Sequence, residues 1–345
     1  MAGTPFYMDG PWRITFETNP DLCNLHCRMC EIHSRCNCNK LDRGVLPFQV
    51  IERVVSSAAP HGLREIIPST MGEPLLYPDF DRILGLVKRN GLKLNLTTNG
   101  TFPLRGVETW GNLILPIASD TKISMNGATA RTAEGIMHGL DFERQVSNLA
   151  KYIGIRDEVK RSGANDPTVT VQATFMRSNL DELPDLLRMA IDMGVDRFKG
   201  HHVWITHPEI EGESLRTNAR SIHDWNECAE IMERIADDKR LPSGRKIVLA
   251  NVYPLSEKDG QNSMDSTVCP FLGREAWVSY NGRFDVCCAP DVKRRTLGEY
   301  GNVVESDIMD IWHGEAYNKL VKSCDHHEVC GQCNMKVRSH QGEAE

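Results

Sequence analysis

The sequence predicts an α/β protein, a partial (β/α)6 TIM-like barrel followed by a small cysteine-rich C-terminal domain. Three observations lead there. Strand and helix signals alternate from Trp12 to about Lys199, as in chains that build parallel sheets. Beyond Gly200 the period loosens. The 12 cysteines fall in two groups, five between Cys23 and Cys38 and six between Cys269 and Cys333, with Cys228 alone between them.

The elements follow in order. Residues 12–17, Trp-Arg-Ile-Thr-Phe-Glu, alternate like a strand. Residues 48–59 have helical spacing, and 64–67 form a short strand. Residues 78–90 read as a helix closed by Gly91. Strands are expected at 92–97 and 122–125, and a long helix at 142–161. The β-branched run 168–175 is a strand, 180–193 a helix stopped by Gly194, and 195–199 the sixth strand. In a barrel of this kind the chemistry sits at the C-terminal strand ends. Residues 201–221 read as a polar loop, 222–238 as a helix, 242–258 as a short strand and turn, and 260–266 as a connector. A hairpin is expected from 276–280 and 284–287 around Asn281-Gly282, then two helical pieces near 306–313 and 315–323. The barrel and its following helix are expected over 1–240, the connector and cysteine-rich domain over 241–345.

Composition narrows the class. With 345 residues, 40% hydrophobic and 25% charged, the chain can bury a large core, which excludes disorder and fibrous repeats. A net charge of -7 gives no reason to expect nucleic acid or an anionic membrane as partner. No apolar run of about 18 residues predicts a membrane helix. The N-terminus lacks the pattern of a secretory signal, so a cytoplasmic location is expected. Clustered cysteines in a reducing compartment point to a metal, iron–sulfur or zinc, rather than disulfides.

The first group contains Cys23-x3-Cys27-x2-Cys30 just after the first strand. Three thiolates can hold three irons of a [4Fe–4S] cluster and leave the fourth open to an outside ligand. The alternative is a zinc loop completed by His26 or His33, as in a non-catalytic zinc-binding interaction protein. The segment resembles the cluster motif of the radical S-adenosylmethionine (SAM) superfamily, with Met29 where that family usually has an aromatic residue. Ser69-Thr70-Met71-Gly72-Glu73-Pro74 resembles the family's Gly-Gly-Glu-Pro segment, which binds the SAM amino group. Thr98-Asn99-Gly100 is similar to its Thr-Asn-Gly pattern. Ile123-Ser124-Met125-Asn126-Gly127-Ala128 resembles its Ser-x-Asp-Gly-Ala segment, with Asn126 in the acidic position. The resemblance implies SAM contacts from Met29, Met71, Gly72, Glu73, Thr98, Ser124 and Asn126.

In the second group Cys269 is followed by Gly282, Cys287 and the pair Cys330-x2-Cys333. These four can ligate a second cluster fully, or form a zinc ribbon. The arrangement resembles the twitch form of the SPASM subfamily, and implies one auxiliary [4Fe–4S] cluster on Cys269, Cys287, Cys330 and Cys333. Cys288 would point away if Cys287 lies on a strand. Cys324 is the substitute ligand, Cys36 and Cys38 are loop thiols, and Cys228 belongs to a helix core.

The resemblance implies hydrogen abstraction from a substrate carbon by a 5′-deoxyadenosyl radical, with a flavodoxin or ferredoxin as reductant. It also implies a small-molecule branch of the subfamily, lyase or oxidoreductase chemistry in natural-product (antibiotic) biosynthesis. Radical decarboxylation of a uronic-acid nucleoside is favoured, over dehydrogenation of an aminocyclitol or sugar alcohol. Ribosomal-peptide modification is the further alternative, and a strand beginning near Trp12 leaves no leader-binding domain expected ahead of the barrel. Lys199, His201, His202 and Arg274 are the candidate catalytic residues, as cations for a carboxylate or bases for a hydroxyl. Glu213 and Arg216 on the following loop are further candidates for the substrate pocket, with surface charge the favoured reading, and of His201 and His202 at most one is expected to face the pocket.

Overall fold

A computed structural model of the chain describes residues 8–36, 42–68, 71–255, 267–323, 327–331, 333, 335 and 337–338. Its strands are β1 (Arg13–Phe16), β2 (His26–Cys27), β3 (Glu65–Ile67), β4 (Lys93–Thr98), β5 (Ala118–Ser124), β6 (Met137–His138) and β7 (Thr168–Phe175). There follow β8 (Arg197–His202), β9 (Val248–Ala250), β10 (Thr267–Val268), β11 (Glu275–Val278), β12 (Phe284–Asp285) and β13 (Val337–Arg338). One nine-stranded sheet has the order β12-β11-β1-β3-β4-β5-β7-β8-β9. Every neighbouring pair in it is parallel except the hairpin β11–β12. The expected six barrel strands are β1, β3, β4, β5, β7 and β8, and the architecture is the predicted partial barrel.

Helices α1 (Phe48–Ala58), α2 (Phe80–Arg89), α3 (Gly106–Ile114), α4 (Ala130–Ile136), α5 (Phe142–Ser162), α6 (Leu183–Met193) and α7 (Ala219–Asp238) accompany the barrel strands. Each exists because one stripe is apolar: α1 buries Phe48, Ile51, Val54, Val55 and Ala58. Asp141 caps α5 by accepting from Arg144 N–H at 3.0 Å. On the sheet, Ile14, Phe16, Ile66, Leu94 and Ile123 are wholly buried on the face the helices cover. Their strand neighbours therefore point into the barrel.

The sequence reading missed α3 and α4. Both are short and carry helix-weakening glycines, Gly106, Gly111 and Gly135. Packing holds α3 instead: it buries Val107, Trp110 and Ile114, Trp110 Nε1 donates to the Pro103 carbonyl at 2.8 Å, and Phe80 meets the indole edge-on.

The C-terminal hairpin does not stand apart from the barrel. Strand β11 extends the sheet beside β1, with Arg13 opposite Glu275 and Phe16 opposite Val278. Gly282 turns the hairpin at φ +83°, its N–H donating to the Ser279 carbonyl at 2.8 Å. Short helices α8 (Asp291–Arg295), α9 (Ile308–Trp312) and α10 (Glu315–Ser323) follow. Ser57 on α1 donates to Asp307 at 2.6 Å, and Arg53 on α1 donates to the Val304 carbonyl at 3.0 Å, so this region is bonded to the barrel at several points. Among the described residues no helix is long and apolar enough to cross a membrane.

Candidate functional site

The barrel interior has two layers. Low in the barrel, Arg13 pairs with Glu65 and, at 3.1 Å, with Glu275. Asn95 donates to Glu65 at 3.0 Å and accepts from Lys122, while Ser119 also donates to Glu65. Asp120 accepts from Thr168 and Thr170 at 2.9 and 2.8 Å and lies 3.9 Å from Lys122. Burial pushes the Glu275 carboxyl up to about 7 against the pull of Arg13, and brings the Lys122 ammonium down to about 8 against the pull of Asp120.

Nearer the mouth the pattern changes. Ser124, Gln172 and Lys199 stand in register across β5, β7 and β8, and Thr174 stands beside His201. These five side chains are half-buried and make no hydrogen bond with a described residue. Burial, with Lys199 beside it, lowers His201 to about 4, so its imidazole is neutral at neutral pH. Lys199 and His201 thus share the chamber. His202 does not: the strand alternation turns it outward, into an aromatic core with Phe175 and Trp225 at ring distances of 5.6 and 4.6 Å. Arg274 is also elsewhere. It precedes β11, and its carbonyl accepts from Trp12 N–H at 2.9 Å, at the N-terminal end of the barrel.

The first cysteine loop crosses the mouth after β1. Its strand β2 pairs with β6, with Cys27 opposite Met137. Backbone N–H groups of Leu25 and His33 donate to the sulfurs of Cys23 and Cys30 at 3.4 and 3.2 Å, and the Asn99 side chain also bonds Cys23. Burial pushes Cys23 up to about 11 and Cys27 further still, each raised also by the neighbouring thiols. Three half-buried thiols on one short loop, two of them with backbone N–H donors aimed at sulfur, suit a metal that takes thiolates. Of the two histidines in this loop, His33 Nε2 meets the Pro20 carbonyl at 2.7 Å and His26 Nδ1 the His33 carbonyl at 3.3 Å.

Glu73 anchors the adjoining loops. It accepts from Thr98 Oγ1 at 2.7 Å, Asn99 N–H at 2.9 Å and Leu75 N–H at 3.3 Å, and burial raises it to about 7. Its side chain and that of Thr98 are thus turned on each other. Gly72, at φ +76°, packs on the backbone of Asn19 and Leu22, where a Cβ would collide with both carbonyls. Met71 and Met29 are half-buried beside this loop, and Ser69 and Thr70 lie outside the described residues. Asn126 is buried, and its Oδ1 accepts from Thr174 N–H at 2.8 Å, tying the end of β5 to β7.

Across the mouth, Cys269, Cys287, Cys330 and Cys333 line one cavity with Trp204, Phe271, Leu272 and Val329. Leu272 N–H donates to Cys269 sulfur at 3.5 Å, and Met335 N–H to Cys333 sulfur at 3.4 Å. This donor set fits an iron–sulfur cluster in the same way as the first. Cys288 faces this cavity too. The strand ends at Asp285, so the alternation that would turn Cys288 away does not reach it. Cys36 is exposed and Cys228 is buried on α7, while Cys38 and Cys324 lie outside the described residues. Buried Arg294 reaches Asp285 at 3.3 Å, Asp291 at 3.1 Å and Glu17 at 3.7 Å, joining this region to the end of β1.

Two partners were invisible in the sequence. Glu213, expected at the surface, is buried; it accepts from Ser178 N–H at 2.9 Å and pairs at 2.9 Å with Arg28, inside the cysteine motif. The Asn99 contact to Cys23 was likewise unread. Only the Thr-Asn-Gly match hinted at Asn99, and Glu213 was a candidate for the substrate pocket but not for a pairing with Arg28.

The family signature of the Radical SAM superfamily matches residues 20–190, and that of SPASM, an iron-sulfur cluster-binding domain, matches residues 269–334. The chain belongs to the radical SAM superfamily. Its radical SAM domain binds SAM and a [4Fe–4S] cluster, and its SPASM domain binds auxiliary iron–sulfur. Among relatives, it is 26% identical over 332 residues to the tungsten-containing aldehyde ferredoxin oxidoreductase cofactor-modifying protein of Pyrococcus furiosus, covering 91% of this chain and 85% of that one. It is 24% identical over 241 residues to the PqqA peptide cyclase of Bradyrhizobium diazoefficiens, covering 68% of this chain but 58% of the relative. Among solved structures, Streptococcus suis SuiB bound to S-adenosylmethionine aligns with a TM-score of 0.64 at 16% identity, covering 94% of this chain and 72% of that one. anSMEcpe with bound AdoMet aligns with a TM-score of 0.66 at 15% identity, covering 97% and 88%. At these identities the two structures speak for the fold alone.

Proposed function

We propose that this radical SAM enzyme abstracts hydrogen from a carbon of a peptide substrate held in the barrel mouth. Cys23, Cys27 and Cys30 are assigned to the SAM-binding cluster, and Cys269, Cys287, Cys330 and Cys333 to one auxiliary cluster. Bound SAM with the reduced cluster supplies the 5′-deoxyadenosyl radical. Met29, Met71, Gly72, Ser124 and Asn126 are the residues assigned to hold SAM, on a frame that Glu73 and Thr98 tie together. The observation that carries the reading is the unbonded layer of Ser124, Gln172, Thr174, Lys199 and His201, which lies inside the barrel where ligand groups can complete its hydrogen bonds. The names of the relatives support a peptide: a PqqA peptide cyclase in sequence, and SuiB bound to its precursor peptide in fold.

A second reading keeps the small carbohydrate class, a uronic-acid nucleoside undergoing decarboxylation or an aminocyclitol undergoing dehydrogenation. The small polar side chains of Ser124 and Thr174 favour it, because they suit a hydroxyl-rich ligand. Reconstituted, reduced enzyme is given SAM with short peptides encoded beside its gene, with a uronic-acid nucleoside, and with an aminocyclitol. Formation of 5′-deoxyadenosine together with a mass change in a peptide is expected. Turnover of a carbohydrate and of no peptide would transfer the assignment to the second reading.

A further inference from the structure

The acids of the barrel interior are already engaged. Glu65 serves Arg13, Asn95 and Ser119; Glu275 serves Arg13; Asp120 serves Thr168, Thr170 and Lys122. Lys199 rises one layer above them, in register with Gln172 on β7 and Ala250 on β9. Neither neighbour carries a negative charge. Among the described residues no carboxylate pairs with Lys199, and its charge instead repels Lys122 below and acts on His201 above. A half-buried ammonium with no carboxylate beside it among the described residues can pair with an anionic ligand group.

From this placement we propose that Lys199 is an oxyanion subsite: the ligand of the barrel mouth carries a carboxylate or phosphate that binds its ammonium, with His201 and Gln172 completing the hydrogen bonds. The neutral His201 ring has one N–H to donate, and the Gln172 amide supplies another donor on the adjacent strand. Charge-assisted bonds of this kind are stronger than those between neutral groups. The proposal rests on the barrel mouth being the substrate chamber, and it narrows the substrate to one bearing an acidic group, such as an Asp, Glu or C-terminal carboxylate of a peptide.

The test uses the reconstituted protein with SAM and two probes, inorganic phosphate and glutarate, so that phosphate and carboxylate sources are separated. Calorimetric titration is done on the native protein, Lys199→Gln and Lys199→Arg. At least one probe should bind the native protein, lose tenfold or more in affinity in Lys199→Gln, and recover to within about threefold in Lys199→Arg. Equal binding to native protein and Lys199→Gln would overturn the subsite, as would no binding of either probe to native protein. A measurement on native protein alone guards against a misfolded variant. Acetic anhydride labelling of Lys199, read by peptide mass, should fall when the bound probe is present, and unchanged labelling counts against the subsite. Formation of 5′-deoxyadenosine by the native enzyme is scored separately. Its presence alongside a failed subsite leaves the radical reading standing, and its complete loss overturns that reading whatever the anions do.

Discussion

The two ends of the barrel use the same polar residue types for opposite purposes. At the N-terminal end Arg13, Glu65, Asn95, Lys122 and Glu275 are joined in one bonded network, and Asp120 beside Lys122 is held by Thr168 and Thr170. At the C-terminal end Ser124, Gln172, Thr174, Lys199 and His201 bond to no described residue, and sulfurs stand at two sides of the opening. The difference teaches that polarity inside a barrel does not mark a site. What marks it is the step from side chains bonded to one another to side chains bonded to no described residue.

The comparison can be broken first at the mouth, where the effect is largest. Replacing Cys23, Cys27 and Cys30 together by Ala should abolish SAM cleavage and remove about half of the iron, roughly four of eight atoms if both clusters are cubes. Circular dichroism of the variant should stay near native, because those thiols lie outside the nine-stranded sheet. Full iron content would show that other residues hold that cluster. The converse variant is Arg13→Met. It leaves Glu275 without its ion-pair partner in a buried layer and takes one of three donors from Glu65, and a loss of roughly 2–4 kcal/mol is expected in urea unfolding. A change below about 0.5 kcal/mol would mean the lower layer is not held by its ion pairs.

A finer contrast is in pH. Glu275 sits at about 7 when folded, above the ordinary 4.5, so the folded state binds its proton more tightly than the unfolded chain. Its contribution is therefore fully present below about pH 4.5 and is lost as pH rises through about 7. Unfolding free energies of Glu275→Gln between pH 4.5 and 8 should fall less steeply than those of the native protein, and parallel curves would refute the assignment. The smallest effects belong to the mouth again. Lys199→Gln should change unfolding stability by no more than about 0.5 kcal/mol, since it breaks no bond to a described residue. Cys288→Ala should leave iron content and the auxiliary cluster's EPR signal unchanged if the four named cysteines are its ligands. A lost signal would bring Cys288 into that set.

The sequence displayed the parts with local signatures. The barrel strands, α1, α2, α5, α6 and α7, the hairpin turn at Gly282 and both thiol groups could be read because their patterns repeat within a few residues. Long-range pairings could not. Arg13 meets Glu275 across 262 positions, and Arg28 meets Glu213 in a stretch that reads as plain polar loop. His201 and His202 were equivalent as text, and strand β8 separates them into chamber and core. Cys288 was misread because a two-residue strand was extended too far.

The pairing of β11 on β1 bears on how the molecule comes into being. The strand that leads into the first cysteine loop leaves the ribosome early, yet one of its edges waits for Glu275–Val278 before it is covered. Until then the thiols of Cys23, Cys27 and Cys30 hang from an open sheet edge, a form prone to pair with the wrong chain. Closing a loop of this length is slow, because its entropy must be lost before the contacts return anything. The natural order of assembly is then a barrel that shuts late, with iron delivered to thiols that are still within reach of a donor. Chaperones and iron carriers would meet this chain in the same interval, and anything that lengthens the wait exposes both the edge and the thiols to oxidation.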